Sequence, residues 1–165
     1  MATEPLRPHP LLTRYYADEA SRKRQVLAWF DESAPDYDWI TQAMSFGSGS
    51  WYRRQALLRA GLAPGMSTLD VACGTGALTV PSQEIVGPEG QVVGLDPSTG
   101  MLRQARANGA RRLVRGVAEA LPFPDPRFEL LSMGYALRHV ADLRATFREY
   151  HRVLQAGGMA LSRPQ

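Results

Sequence analysis

The middle of the chain alternates between short apolar runs and longer stretches in which apolar residues recur every three or four positions. The short runs predict buried strands, because a strand that is covered on both faces needs no polar alternation. They lie at 68–71, 92–96, 113–116, 128–133 and 159–165. The stretches between them predict helices. Strands that alternate with helices predict an α/β fold with a mostly parallel sheet.

The helix before the last predicted strand shows its apolar face most clearly. Gly157–Gly158 follows this helix and is predicted to end it. The apolar residues at helical spacing are Val140, Leu143, Phe147, Tyr150 and Leu154.

The N-terminal part of the chain has a different pattern. Residues 1–16 contain three prolines and little periodicity, which predicts a flexible arm. After the arm, apolar residues at helical spacing predict a first helix that ends before Pro35 and a second helix at 51–59. Residues 17–64 are therefore interpreted as a helical cap or lid, and residues 65–165 as the domain that contains the sheet.

A glycine turn follows the first strand of that domain. The sequence from Thr68 to Gly76 is typical of a buried strand that runs into a turn with glycine at 74 and 76. Glycine lets the backbone bend sharply and approach a ligand without a clashing Cβ, and the N–H groups of the following helix point back at that ligand. A dinucleotide site would have a third glycine where this chain has Thr79. The turn therefore predicts a nucleotide-type ligand of another kind.

Two acidic residues indicate which ligand this is. Asp96 stands at the tip of the second strand, where the hydroxyls of a ribose are bound in folds of this type. Asp70, inside the first strand, would repel a pyrophosphate but suits a cationic ligand. S-adenosylmethionine carries both an ammonium and a sulfonium group, and it fits this pair. An α/β turn with two glycines and no such ligand is the alternative.

Composition and charge argue against several other classes. The formal net charge is only +3, Lys23 is the single lysine, and the densest arginine cluster, at 111–115, has no interleaved aromatic residues, so no nucleic-acid partner is expected. The single cysteine, Cys73, allows no internal disulfide and favours a reducing, cytoplasmic location. No apolar run approaches the length of a membrane span. No Cys, His or acidic cluster has the spacing of metal ligands, so no metal is expected.

From about Val26 onward, the chain resembles the ubiquinone and menaquinone biosynthesis C-methyltransferase family, within the class I S-adenosylmethionine-dependent methyltransferases. Any one matching stretch is weak, but all of them occur in order and at the family's spacing. The stretches are Phe30–Asp31 with Ala34 and Tyr37–Asp38, Met44–Gly47, Leu69–Gly76, Gly94–Asp96, Ala118–Asp125, Leu137–Arg138, and Arg152–Leu154 before Gly157–Gly158.

This resemblance implies a Rossmann-like three-layer sandwich that binds S-adenosylmethionine and releases S-adenosylhomocysteine. The turn would hold the methionine part, Asp96 the ribose hydroxyls, and Val117 with Ala118 the adenine. The family usually has Asp or Asn at Val117, and this chain lacks that hydrogen-bond acceptor. The cofactor residues implied are Asp70, Ala72, Gly74, Thr75, Gly76, Asp96, Val117, Ala118 and Gly134.

The resemblance also implies the reaction, which is C-methylation of a hydroquinone-like aromatic ring. Arg138 would help a substrate hydroxyl to lose its proton. His139, where the family usually has Asn, is a candidate general base beside it, because imidazole titrates near neutral pH. The predicted partner is a small aromatic molecule, and its lipophilic tail leaves peripheral membrane contact open. The substrate pocket is assigned to four aromatic residues, Phe30, Tyr37, Phe46 and Tyr135.

Several hypotheses about the length and the function of the chain stay open. Class I methyltransferases have seven strands, so this sequence is interpreted as ending at about the fifth and leaving an unpaired sheet edge. It is then a truncated piece, a natural shortened form, or a chain that a second copy completes in a homodimer or by strand exchange. The chain is then either an enzyme or a cofactor-binding module without turnover. An O- or N-methyltransferase of specialised metabolism would share every cofactor residue. An RNA methyltransferase is favoured only by the basic charge.

Overall fold

A computed structural model describes residues 5–8, 18–45, 49–134 and 136–163, with backbone alone for Glu19, for 36–45 and for Arg163. Within these ranges, helices and strands alternate from residue 67 onward, as the apolar pattern predicts. The helices are α1 (Glu19–Ser45), α2 (Gly49–Arg59), α3 (Thr79–Val86), α4 (Thr99–Ala107) and α5 (Leu143–Val153), and a 3-10 turn spans Leu137–His139. The strands are β1 (Ser67–Val71), β2 (Gln91–Asp96), β3 (Leu113–Arg115), β4 (Phe128–Gly134) and β5 (Leu154–Arg163).

The five strands form one sheet in the order β3-β2-β1-β4-β5, and every neighbouring pair is parallel. The register aligns Asp70 of β1 with Gly94 of β2 and with Ser132 of β4. The carboxyl ends of β1, β2 and β4 therefore meet at one edge of the sheet. The predicted α/β fold with a parallel sheet is confirmed.

The core occupies both faces of the sheet. Adjacent residues point to opposite faces of a strand, and Val92 and Val93 accordingly belong to two different apolar clusters. Tyr150 and Val153 of α5 pack into one cluster, and Leu57 of α2 packs into the other. Helices thus cover both faces, which gives the three-layer sandwich and explains why the strands are apolar without alternation.

Helix α1 differs from its prediction, since it continues through Pro35 and does not end before it. Proline removes one backbone hydrogen bond from a helix and disfavours the helical conformation of the preceding residue. Tertiary contacts outweigh this local preference here. Ala34 is buried, and the carboxylate of Asp31 accepts hydrogen bonds from the start of α4.

The end of α5 was also predicted wrongly. The helix ends at Val153, and β5 begins at the next residue, so Gly157–Gly158 lies inside a strand. The register shifts here, because residues 155–158 lie opposite the single residue Glu129. A Cβ on Gly158 would lie 3.2 Å from the carbonyl oxygen of Glu129. The glycines therefore permit a close bulge against β4 and do not end a helix.

Two smaller differences concern exposed residues. Phe147, which was assigned to the buried face of α5, is 50% exposed and makes an edge contact with the ring of Tyr150. Part of the predicted flexible arm is attached to the domain, because Leu6 donates its N–H to Asp142 (3.2 Å) and accepts from the N–H of Leu143 (2.8 Å). The rest of the arm, 1–4 and 9–16, lies outside the described residues. Among the helices in the described part of the chain, none is long and apolar enough to cross a membrane.

Candidate functional site

The turn after β1 has the backbone geometry of a ligand cradle. Gly74 and Gly76 have φ values of +54° and +88°, which favour glycine, and Ala72 has φ +53° although it carries a Cβ. A Cβ added to Gly74 would meet nothing within 4 Å, whereas one on Gly76 would touch Ala105 and Val80. The space beside Gly74 is therefore open, and a ligand can approach its backbone closely.

Asp96 faces this turn from the end of β2. The N–H of Gly74 donates to its Oδ2 (2.9 Å), and the N–H of Ser98 donates to its Oδ1 (2.9 Å). Only 6% of Asp96 is exposed, and burial raises the pKa of its carboxyl, although both N–H donors oppose that shift. Each oxygen of a carboxylate is able to accept more than one hydrogen bond. Asp96 can therefore accept further donors, such as two neighbouring hydroxyls.

Asp70 lies beneath the turn and is only 1% exposed. The hydroxyl of Thr79 donates to its Oδ2 (2.6 Å), and the hydroxyl of Ser132 donates to its Oδ1 (2.8 Å). Burial raises the pKa of Asp70 to about 6, against the two hydroxyl donors. The carboxylate thus joins β1, α3 and β4, and it places a charge below the turn at neutral pH.

The hydroxyl partners of Asp70 were not recognised in the sequence. Thr79 was noted only because it is not glycine, and Ser132 was treated as part of an apolar strand. A polar residue within a buried apolar run is the signal that could have found both, because buried carboxylates require donors.

The remaining turn residues are packed. Thr75 is buried, and its carbonyl oxygen accepts a hydrogen bond from Nδ2 of Asn108 (3.0 Å). A Cβ on Gly134, at the end of β4, would lie 3.1 Å from Cδ1 of Leu78. Cys73 is buried, and this burial raises the pKa of its thiol, which is expected of a packing residue and not of a nucleophile.

The segment after β3 forms another wall of the site. Val117 is 42% exposed, whereas Ala118 is buried in the core. The chain closes a narrow turn here, since the N–H of Ala120 donates to the carbonyl of Val117 (3.3 Å). An exposed apolar side chain at this edge of the sheet provides a surface for the face of a flat ring.

Helix α5 holds the same segment in place through Arg152. Its guanidinium donates to the carbonyl oxygens of Leu121 (2.9 Å) and Phe123 (2.7 Å), and it also binds Glu149 and Asp125. Glu149 in turn accepts from the N–H of Leu121 (2.7 Å). Arg152 belongs to a family motif from which no role was predicted for it, and in the structure it anchors this loop.

Arg138 and His139 lie in the 3-10 turn after β4. Nε of Arg138 donates to Nε2 of His139 (3.1 Å), so this ring nitrogen is an acceptor. Phe30 of α1 makes an edge contact with the His139 ring, with centroids 5.5 Å apart. The structure therefore brings three of the predicted residues together. Phe46 and Tyr135 and the side chain of Tyr37 lie outside the described residues.

The loop that carries Arg138 is also tied to the segment after β3. Oε1 of Glu119 accepts from the N–H of Ala141 (2.6 Å), and Nζ of Lys23 lies 3.9 Å from the same oxygen. Among the described side chains, no group of His, Cys, Asp and Glu is arranged to hold a metal ion. Hydrogen-bond donors and carboxylates thus provide the chemistry that the described part of this site offers.

Comparison with known proteins agrees with the fold and the motifs. The ubiE/COQ5 methyltransferase family matches residues 18–162. A demethylmenaquinone methyltransferase of Symbiobacterium thermophilum is 40% identical over 144 residues, which cover 83% of this chain and 57% of that protein. The ubiquinone/menaquinone biosynthesis C-methyltransferase UbiE of a Shewanella species (strain ANA-3) is 37% identical over 163 residues, covering 92% of this chain and 65% of that one.

Among solved structures, an S-adenosylmethionine-dependent methyltransferase from Aquifex aeolicus superposes with a TM-score of 0.57 and 23% identity, over 62% of this chain and 58% of that one. This likeness supports the fold. The chain spans between about half and two thirds of the length of these relatives. The match over residues 18–162 and the identity to both sequence relatives settle the family that the motifs predicted. The chain belongs to the ubiE/COQ5 methyltransferase family, a family of S-adenosylmethionine-dependent methyltransferases.

Proposed function

We propose that this chain binds S-adenosylmethionine over the turn after β1 and takes part in methylating a carbon atom of a hydroquinone-like ring. The proposal rests on one observation: the N–H of Gly74 donates to the carboxylate of Asp96, and the space beside the Gly74 backbone is open. A buried carboxylate with remaining acceptor capacity fits the two hydroxyls of a ribose. The two sequence relatives, named as a demethylmenaquinone and a ubiquinone/menaquinone methyltransferase, support the choice of ring.

The residues fit the parts of this cofactor in turn. Asp96 would accept from the ribose hydroxyls, and the turn at Thr75 and Gly76 would lie near the methionine part, at the start of the segment that leads into α3. Val117 and Ala118 would lie against the adenine. Asp70, held by Thr79 and Ser132, would contribute its negative charge from below. Ala72 and Gly134 complete the predicted wall, and both stay predictions.

The bound cofactor would supply a methyl group that is already activated by its sulfonium sulfur. The protein would then need to hold the acceptor ring in line, exclude water and help a ring hydroxyl to ionise. Arg138, as a cation, would stabilise the ring oxyanion, which pushes electron density onto the adjacent carbon. The cofactor would supply its methyl group to that carbon and leave as S-adenosylhomocysteine, and the carbon would lose its proton to water, which restores the aromatic ring.

His139 would act as a base only after Arg138 changes its partner. In the structure, Nε2 of His139 accepts a hydrogen bond from the Nε–H of Arg138. When Arg138 turns to the hydroxyl oxygen of the substrate, Nε2 would become able to accept the hydroxyl proton, and Arg138 would then stabilise the oxyanion that forms. The Arg138–His139 pair thus fits one proton transfer that is coupled to substrate binding. Phe30 beside this pair would contact the ring of the substrate.

The test is methyl transfer from labelled S-adenosylmethionine to a demethylated menaquinol and, in parallel, to an O-methyl and an N-methyl acceptor. Mass spectrometry of the product locates the label. Label on a ring carbon supports the proposal, whereas label on oxygen or nitrogen replaces it with the alternative of an O- or N-methyltransferase. Cofactor binding without transfer to any acceptor would leave the cofactor-binding module as the function. The partners, the homodimer, the membrane contact and the cytoplasmic location stay predictions.

A further inference from the structure

One carboxylate outside the predicted site is bonded to the loop that carries Asp96. It belongs to Asp31, which lies in the N-terminal helix α1 and is distant from this loop in the sequence. Its Oδ1 accepts from the hydroxyl of Ser98 (2.6 Å) and from the N–H of Gly100 (2.8 Å). These two donors lower the pKa of the Asp31 carboxyl, so it is ionised at neutral pH.

Ser98 connects this contact to the site. Its N–H donates to Oδ1 of Asp96 (2.9 Å), and its hydroxyl oxygen accepts from the N–H of Met101 (3.0 Å) as the N-cap of α4. The hydroxyl proton of Ser98 is directed to Asp31. A continuous path therefore runs from α1 through Ser98 to the carboxylate that faces Gly74.

The approach of α1 to α4 is close enough to require glycine. A Cβ on Gly100 would lie 2.7 Å from the carbonyl oxygen of Asp31 and 2.9 Å from its Cα. Pro35 has no N–H to donate to that carbonyl, four residues earlier in the helix. The two helices therefore meet backbone to backbone at Asp31, and the position of α1 depends on this contact.

The same helix also reaches the other part of the site. Phe30, next to Asp31, contacts His139, and Lys23 lies 3.9 Å from Glu119. Movement of α1 would thus change both the surroundings of Arg138 and the support of Asp96. A residue that fixes α1 to the Asp96 loop is in a position to link these two regions.

We propose that Asp31 is a positioning residue, which couples the docking of α1 to cofactor binding at Asp96 by holding Ser98. This inference rests on the proposed function, since it takes the cofactor to be the ligand of Asp96. Linkage is reciprocal, so the ligand stabilises the docked helix to the same extent as the docked helix favours the ligand.

The first experiment measures the dissociation constant of S-adenosylhomocysteine by titration calorimetry for the unmodified chain and for Asp31→Ala, Ser98→Ala and the double variant. Asp31→Ala should weaken binding about tenfold, which is typical for loss of hydrogen bonds to a charged acceptor. The double variant should bind no more weakly than the weaker of the two single variants, because both changes interrupt one path. Glu32→Ala, at the exposed neighbouring position, is the matched control and should bind like the unmodified chain.

The second experiment keeps an acceptor oxygen at position 31, and it starts from the unmodified chain. Hydrogen exchange of the α1 amides at 22–34 should slow when the unmodified chain is saturated with S-adenosylhomocysteine. Asp31→Asn keeps the acceptor oxygen without the charge, so binding should fall only about threefold and part of the protection should remain. If Asp31→Ala does not fold, these two measurements decide the question.

Several outcomes would overturn the proposal. Equal affinities of Asp31→Ala and the unmodified chain would do so, as would losses that multiply to about a hundredfold in the double variant. A hydrogen-exchange rate in α1 that does not change when the ligand binds would also overturn the proposal. If the unmodified chain fails to bind S-adenosylhomocysteine, the proposed function fails and this inference fails with it. If the unmodified chain and Asp31→Ala bind S-adenosylhomocysteine equally well, this inference is rejected and the proposed function stands.

Discussion

The proposed cofactor side of the site, formed by Asp70, the turn at 72–76 and Asp96, differs in construction from the proposed acceptor side, formed by Phe30, Arg138 and His139. Both carboxylates of the cofactor side are buried and hydrogen-bonded to neighbouring strands, helices or turns. The acceptor side consists of a 3-10 turn and a helix that touches it, and its Arg138–His139 bond lies at the surface. Changes on the first side should therefore affect both stability and cofactor binding, whereas changes on the second should affect turnover alone.

The largest effect is expected from the charge of Asp70, as a function of pH. Its pKa of about 6 in the folded chain lies above the ordinary value of 3.8, so the folded state holds this proton more tightly than the unfolded state. The stabilising contribution of this group is therefore greatest below about pH 4, and it falls by up to about 3 kcal/mol as the pH rises to about 6.

Urea unfolding of the unmodified chain and of Asp70→Asn at several pH values measures this contribution of Asp70 to the free energy of unfolding. The stability of the unmodified chain relative to the variant should fall between about pH 4 and pH 6 and stay constant above that range. Glu89→Gln is the control, since Glu89 is exposed between α3 and β2. The difference in stability between this variant and the unmodified chain should not change with pH. A constant difference for Asp70→Asn as well would show that the carboxylate is not a buried charge.

On the acceptor side, Arg138→Ala should lower the rate of methyl transfer about 100-fold, which lies within the usual contribution of acid–base groups. The dissociation constant of S-adenosylhomocysteine should stay within about twofold, because Arg138 does not support the cofactor side. His139→Asn should flatten the pH profile of the rate if the imidazole is the base. Weaker cofactor binding in Arg138→Ala would remove the distinction between the two sides.

Gly74→Ala separates strain from ligand contact. The left-handed backbone at φ +54° should cost about 1 kcal/mol of stability, and the new Cβ would enter the open space, weakening S-adenosylhomocysteine binding about tenfold. Gly65→Ala is the matched control, because Gly65 has φ +82° and open space but lies before β1. It should lose similar stability and keep its affinity. Equal affinity losses in the two variants would contradict the placement of the ligand.

The smallest predicted effect is a gain in affinity for S-adenosylhomocysteine. Val117→Asp restores the acceptor that the family usually carries, and at 42% exposure the new carboxylate stays hydrated. Binding of S-adenosylhomocysteine should tighten about fivefold through one hydrogen bond to the adenine amino group. S-inosylhomocysteine, which has an oxygen in place of that amino group, should show no gain. A gain that is equal for both ligands would place the adenine elsewhere.

The sequence predicted the sheet well, because strand positions depend on local information. The apolar runs at 68–71 and 128–133 agree with β1 and β4 to within one residue at each end. The glycine turn and the acidic residue at the end of β2 were likewise visible, since backbone geometry there demands particular residue types. The family motifs were confirmed by a match over most of the chain.

The parts that were not predicted depend on contacts between distant residues. The passage of α1 through Pro35 is accompanied by the contact of Asp31 with α4. The partners of the two carboxylates, Thr79, Ser98 and Ser132, are ordinary small polar residues until the fold brings them together. Local patterns cannot reveal such partners, because their role arises only from the tertiary arrangement.

The central claim is that Asp96 and the turn at Gly74 hold an S-adenosyl nucleoside, and calorimetric titration with S-adenosylhomocysteine tests it most directly. The unmodified chain should bind with a dissociation constant in roughly the micromolar range, and Asp96→Ala should bind at least about 100-fold more weakly. Glu89→Ala should bind like the unmodified chain. No heat of binding with the unmodified chain, or equal affinity in Asp96→Ala, would contradict the account.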